Sequence, residues 1–319
     1  METQLSNEEL TDRVPKSVTF FSPDELAPLL EWAGFDYVAL GNNHMYDFRD
    51  EGLESTFAAL SDTGLDFSGG GHDEAAARRP AQTSIHDSEY AYLSYVGWAG
   101  TFSPSQVAEG SKGGAALGNT RVIAEDLASL QENPVTVMQL HAGLEYAESP
   151  ALSERTTMRQ AIVDGADVAI GHHPHVLQGF EIYDDRLIAY SLGNFLFDQY
   201  HYTTQLGMLL YLWMDGDALH RAEVVPLHIN GYVPTPATGA FRYAVLSRIA
   251  RLADESVCMR SSGMHAIVES CDRREDEVNR IRVPAGAGDS PLHLRSLGAS
   301  PLEPVTIDSG GRRYRLGTD

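Results

Sequence analysis

Apolar positions along the chain fall into short blocks that alternate between two spacings. Leu26, Leu29, Leu30 and Ala33 recur at helical intervals over residues 23–33, with Ser22 as N-cap, Pro23 at the first helical position, Glu25 completing a capping box and Gly34 closing the helix. Residues 35–40 (FDYVAL) read as a short buried strand that stops at Gly41-Asn42-Asn43-His44, and a second helix is predicted over 51–60, before Gly64. The alternation continues with one or two strands in 83–97, a helix over 122–130, a buried strand at 135–140 (VTVMQL), a helix over 153–163 and a strand at 167–171 (DVAIG). That rhythm predicts an α/β fold with a largely buried sheet.

After residue 180 successive β segments replace the alternation, and Asp215-Gly216-Asp217 reads as the turn of a hairpin. One more helix is expected over 241–253, with Tyr243, Val245, Leu246, Ile249, Ala250 and Leu252 making a broad apolar face. Beyond 255 the pattern weakens, and 284–319, rich in Pro, Gly and Ser, reads as a loosely packed tail. The expected division is a domain over 1–254 and a partly irregular C-terminal extension over 255–319.

Composition narrows the class. The 319 residues are 43% hydrophobic, which suits a packed core and excludes a disordered chain, and Cys258 and Cys271, the only cysteines, exclude a disulfide scaffold. No apolar run approaches the ~20 residues of a membrane span, and Met1 is followed by polar and acidic residues; the chain as it stands reads as cytoplasmic. Net charge is −22, and Lys16 and Lys112 are the only lysines among the 23 basic residues. Such an acidic surface repels nucleic-acid phosphates and anionic membranes, so neither is expected as a general partner. It suits a halophilic protein kept soluble in concentrated salt, or an acidic mesophile protein.

Candidate chemistry gathers where three predicted strands end. FDYVAL runs into Asn42-Asn43-His44 with Asp47 beyond, VTVMQL into His141 with Glu145 beyond, and DVAIG into His172-His173-Pro174-His175. In α/β sheets sites lie at the carboxyl ends of strands, so the three clusters are expected to converge. Imidazole with carboxylate or amide oxygen suits a divalent Mn, Fe, Zn or Ni ion, and no cysteine is near enough in sequence for a thiolate zinc site. No G-x-S-x-G, P-loop or G-x-G-x-x-G motif follows a strand.

The segments LGNNHMYDFRDEGLESTFAALSDTGLDFSGGGHDEAAARRP (40–80), VMQLHAGLEY (137–146), GADVAIGHHPHVLQGFEIYDDRLIAYSLGNF (165–195) and VVPLHINGYVPTPATG (224–239) resemble, in order and spacing, the CapA family, whose members are associated with capsule and poly-γ-glutamate synthesis. The resemblance covers about residues 1–254 and implies a calcineurin-like metallophosphoesterase fold, a four-layer αββα sandwich. It implies Asn43, His141, His173 and His175 as metal ligands, His44 as a proton donor beside them, and Glu145 as a residue that contacts substrate or orients a ligand. Asp47, His172 and Asn194 would support these. Members open with a strand ending in Gly-Asp, a metal carboxylate; this chain has no such opening and begins in what resembles the end of the second motif, leaving Glu2 as the acidic candidate. The resemblance therefore implies a member lacking its first strand or strands, membrane-anchored or extracellular if a longer N-terminus exists.

The function this implies is a metal-dependent, phosphoesterase-type hydrolase acting in capsule or poly-γ-glutamate synthesis on an anionic polymer or phosphoester, with other capsule-synthesis subunits as partners. The alternative is a non-catalytic subunit, a polymer-binding protein or an inactive truncated member.

Overall fold

A computed structural model describes residues 1–85, 88–131, 133–271, 306–309 and 312–315. In chain order the elements are β1 (Gln4–Leu5), β2 (Phe21–Ser22), α1 (Leu26–Trp32), β3 (Tyr37–Ala39), α2 (Arg49–Ser61), β4 (Asp66–Ser68), β5 (Gly70–Gly71), α3 (Glu74–Ala77), β6 (Ala81–Ile85), β7 (Ser88–Val96), β8 (Gly114–Ala115), α4 (Thr120–Ser129), β9 (Val135–His141), α5 (Leu152–Val163) and β10 (Val168–His172). There follow β11 (Phe180–Tyr183), β12 (Arg186–Ala189), β13 (Leu206–Asp215), β14 (Ala218–Asn230), β15 (Val233–Pro236), α6 (Gly239–Leu252), β16 (Val257–Ser262), β17 (His265–Ser270), β18 (Thr306–Ser309) and β19 (Arg312–Arg315). The protein is α/β, and it folds as two compact units: Met1–Pro174 with Tyr183–Ser191 and Met214–Leu219, and His175–Ile182 with Leu192–Trp213 and His220–Asp319.

In the first unit the main sheet runs β12-β10-β9-β7-β6, parallel except for the β6 edge. The central strand β9 is apolar on both faces, as a buried parallel strand must be. Met138 and Leu140 pack with Ile123 and Leu127 of α4 and Met158 and Ile162 of α5. A second cluster joins Leu53, Phe57 and Leu60 of α2 to Val38, Leu40 and Val96. Register decides where the chemistry falls: Val96 and His172 both pair with His141, so β7, β9 and β10 end at one level and the segments that follow leave from the same edge.

The first helix is shorter than expected. It starts at Leu26, with Glu25 as an N-cap that makes no side-chain bond. Ser22 lies in β2 beside β1, its hydroxyl bonded to Thr3 Oγ1 at 3.1 Å, so it is unavailable as a cap. Residues 23–25 form a turn instead, and the face is also different: Ala27 is buried whereas Leu29 is exposed.

The second unit holds a sheet in the order β13-β14-β17-β16, with β15 added to β14. The hairpin expected at residues 215–217 joins β13 to β14, with Gly216 at φ +60°. Val245, Leu246 and Ile249 of α6 are buried. Residues 257–270, where the pattern of the sequence weakens, form the β16–β17 hairpin, and Cys258 and Cys271 are joined by a disulfide. Two cysteines thus staple one hairpin and do not form a scaffold. Of the tail expected over 284–319, β18 and β19 pair antiparallel; the rest lies outside the described residues.

Candidate metal centre

All the groups described first belong to the first unit. Leu40, buried at the end of β3, hands the chain to a tight turn built by Asn42. The Asn42 Oδ1 accepts from the His44 backbone N–H at 2.8 Å, and its amide nitrogen donates to Met1 O at 2.7 Å and Leu40 O at 3.2 Å. This is an asparagine acting on its own backbone two residues on, the chemistry that makes it a turn residue. The turn projects Asn43 and His44, both buried, in different directions.

Asn43 Oδ1 lies 2.8 Å from His141 Nε2 at the end of β9. His44 turns its Nδ1 to Asp47 Oδ2 at 2.6 Å, and its Nε2 lies 3.8 Å from Glu2 Oε1. The same Glu2 oxygen is 3.6 Å from His141 Nε2. His173, one residue past β10, completes the group: ligand atoms of Glu2, His141 and His173 all lie within 4.8 Å of one another. His173 has φ +100°, a conformation that L residues rarely adopt; such an outlier persists only where its surroundings hold it.

The donor set is two imidazole nitrogens, one amide oxygen and one carboxylate oxygen. Bonds of ~2.0–2.2 Å to one ion place neighbouring donor atoms roughly 3–4 Å apart, so these residues fit a divalent metal. The set is that of a borderline Mn, Fe, Zn or Ni ion.

Two residues that sequence reasoning passes over help to shape the centre. Trp98 follows β7, and its ring centroid lies 4.7 Å from that of His173 and 6.1 Å from that of His141; Gln106, itself buried, donates to the Trp98 carbonyl at 2.9 Å. Lys16 reaches in between β1 and β2, with Nζ 2.8 Å from Asn43 O, 3.0 Å from Asp47 Oδ1 and 3.0 Å from His44 Nδ1. Burial holds its pKa below the usual lysine value, against the opposing pull of Asp47. The available signal was its rarity, since the chain has only one other lysine.

The remaining candidates lie outside that group of four, although a Glu145 carboxylate oxygen comes within 4.8 Å of a ring nitrogen of His173. His172, in β10, contacts Gln139 Oε1 at 3.2 Å, and burial pushes its pKa down to about 4, so it is neutral at pH 7. Glu145 is exposed in the turn after β9. His175 belongs to the second unit, where its Nδ1 lies 2.9 Å from Asn194 Oδ1 and its ring packs against Phe197 at 4.8 Å.

Residues 1–199 match the family described as bacterial capsule synthesis protein PGA_cap. The capsule biosynthesis protein CapA of Bacillus anthracis is 28% identical over 241 residues, which cover 74% of this chain and 58% of that protein. The PGA biosynthesis protein CapA of Bacillus subtilis (strain 168) is 27% identical over 222 residues, 69% of this chain and 58% of that protein. A probable polyglutamine synthesis accessory protein of Mycobacterium tuberculosis, Rv0574c, is 27% identical over 249 residues, 75% of this chain and 61% of that protein. The chain thus spans about three fifths of the length of the curated relatives it matches.

Proposed function

Because the chain belongs to the bacterial capsule synthesis protein PGA_cap family, we propose that it serves the synthesis of a capsular or poly-γ-glutamate polymer through metal-dependent hydrolysis or transfer at a phosphoester. The observation that carries the chemistry is the convergence of Asn43 Oδ1, His141, His173 and Glu2. In this reading Asn43, His141 and His173 hold the ion and Glu2 supplies the carboxylate. A divalent ion held by these residues would supply Lewis-acid polarisation of the scissile group and a bound water with its pKa lowered toward ~7.

The rest is the work of the chain's own side chains. The ionised Asp47 can only accept, so the 2.6 Å contact puts the proton of His44 on Nδ1. That leaves Nε2, the nitrogen facing Glu2, to exchange a proton with the leaving group. Trp98 walls one side of the two imidazoles and keeps bulk water from it. Glu145 and His175 are proposed to contact substrate and to add a ligand, respectively. Other subunits of the synthesis machinery are the proposed partners, in line with the relative named as an accessory protein. The Cys258–Cys271 disulfide favours an oxidising compartment, outside the cytoplasm, and no helix among the described residues is long and apolar enough to cross a membrane.

The test is hydrolysis of bis(p-nitrophenyl) phosphate with Mn²⁺ or Zn²⁺, paired with calorimetric metal binding. His173→Ala is expected to abolish both. His44→Ala is expected to keep the metal and lose ~10²–10⁴-fold in rate, the usual size of acid–base assistance. Metal binding without turnover on any phosphoester or amide substrate would support the second reading, a non-catalytic subunit. That reading is favoured by the single, partly exposed carboxylate of the group.

A further inference from the structure

We propose that Lys16 is a positioning residue of the metal centre, the strut that holds Asn43 and His44 in the orientations the centre needs. The proposal rests on the reading of Asn43, His141 and His173 as metal ligands and extends it to a residue outside that ligand set. Lys16 lies on a segment, residues 14–20, that straps the turn after β3. Three bonds from this strap converge on one residue: Val14 N–H donates to Asp47 O at 2.9 Å, Lys16 Nζ to Asp47 Oδ1 at 3.0 Å and Phe20 N–H to Asp47 Oδ2 at 2.7 Å. The Phe20 ring also packs on His44, centroids 4.3 Å apart.

Two of the three N–H bonds of the ammonium have oxygen acceptors here, and the third lies toward His44, whose Nε2 is 3.4 Å from Nζ. With the Nδ1 proton of His44 given to Asp47 Oδ2, Lys16 cannot donate to that nitrogen, and its 3.0 Å approach is a packing contact. Two of its donors go to Asn43 O and Asp47 Oδ1. The first bond fixes the peptide of the residue whose side chain sits beside His141. The second fixes the carboxylate that sets the tautomer and rotation of His44. A lysine suits this place because its ammonium is a compact charge with three rotatable donors, whereas the planar fork of arginine suits bidentate partners. The chain otherwise uses arginine almost throughout, and its one other lysine, Lys112, is bonded to Val107 O and Gly113 O with Nζ 3.9 Å from the centre of the Tyr46 ring.

Supports of ligating groups typically contribute 10–100-fold to metal affinity. The experiment is Co²⁺ binding to the full chain by calorimetry and by the visible absorption of the bound ion, with melting temperature read in parallel. Lys16→Met is expected to weaken Co²⁺ binding about 10–100-fold and to change the absorption band. Arg242→Met, which removes bonds to Met264 O and Gly263 O within the second unit, is expected to lower the melting temperature and leave affinity and band unchanged. Lys16→Met strands the buried Asp47 charge, so a second variant, Lys16→Met with Asp47→Asn, removes that charge as well. It is expected to recover the melting temperature and still bind Co²⁺ weakly. Lys16→Met binding within twofold of wild type, with an unchanged band, overturns the strut while leaving the metal centre standing. Wild-type protein that binds neither Co²⁺ nor Mn²⁺ overturns the centre itself, and the strut with it.

Discussion

Glu154 shows what a single buried residue costs. It lies in the first turn of α5, 2% exposed, with Oε2 accepting the Ala151 N–H at 3.2 Å and Oε1 without a hydrogen-bond partner. Burial raises its pKa from 4.5 to about 7, the Ala151 bond opposing the shift. The folded chain therefore keeps a proton that the unfolded chain releases. Stability from this group is complete below pH ~4.5, is lost as pH rises through ~7, and is then flat at a deficit of about 3 kcal/mol. Glu154→Gln cannot titrate. Its unfolding free energy should gain on wild type by about 3 kcal/mol between pH 4.5 and 8, read from urea midpoints; a gap that does not vary with pH would refute the raised pKa. Glu154 is not legible in the sequence, where it reads as an ordinary first-turn acid. Asn43, His44, His141 and His173 are legible, because each ends or follows a strand and the strands share an edge. Lys16 and Trp98 are not, because they reach the centre from irregular segments whose course no periodicity reports.

Elements bring those residues together, and one close crossing is at the end of β3. Gly41 N–H donates to Ser94 Oγ at 3.0 Å, and a Cβ at residue 41 would meet the backbone of Ser94 and Tyr95 in β7, its oxygen at 2.7 Å. Strand backbone in a packed sheet cannot yield as a side-chain tip can. Gly41→Ala should destabilise the protein by about 1–3 kcal/mol and weaken metal binding, since the shift is passed directly to the Asn42–Asn43 turn. Urea unfolding beside Co²⁺ titration checks both; an unchanged Co²⁺ affinity would separate the crossing from the centre. The parallel strands are legible as apolar blocks. The β16–β17 hairpin is not: VCMRSS and HAIVES mix polar and apolar residues on both faces, and pairing across a turn at Gly263, φ +59°, organises them. The disulfide closing that hairpin spans 13 residues, and constraining the unfolded loop is worth about 3 kcal/mol in the chain-entropy account. Dithiothreitol should lower stability by about that amount, and Cys258→Ser should remove the response.

At the scale of the whole chain, electrostatics sets the terms. A net charge of −22 makes the folded state repel itself, because folding draws the carboxylates together. Ion pairs work in the other direction. Arg121 pairs with Glu125 and Arg260 with Glu269 at 3.2 Å, but such exposed pairs are each worth only about 0–1 kcal/mol. Acidic residues outnumber basic ones 45 to 23, so nearly half of the carboxylates have no cation available to them. Repulsion therefore outweighs pairing, and salt weakens the larger effect. The screening length falls from about 30 Å at 0.01 M to about 3 Å at 1 M, shorter than most distances between surface charges. The melting temperature should rise by several degrees as NaCl is raised over that range, with most of the gain by about 0.2 M, where screening already reaches inside ~10 Å. A melting temperature that falls with NaCl would show that the arginine pairs, and not the unpaired carboxylates, dominate the surface. Acidification gives an independent check: protonating exposed carboxylates relieves the same repulsion, so the salt response should shrink as pH approaches the sequence pI of 4.8.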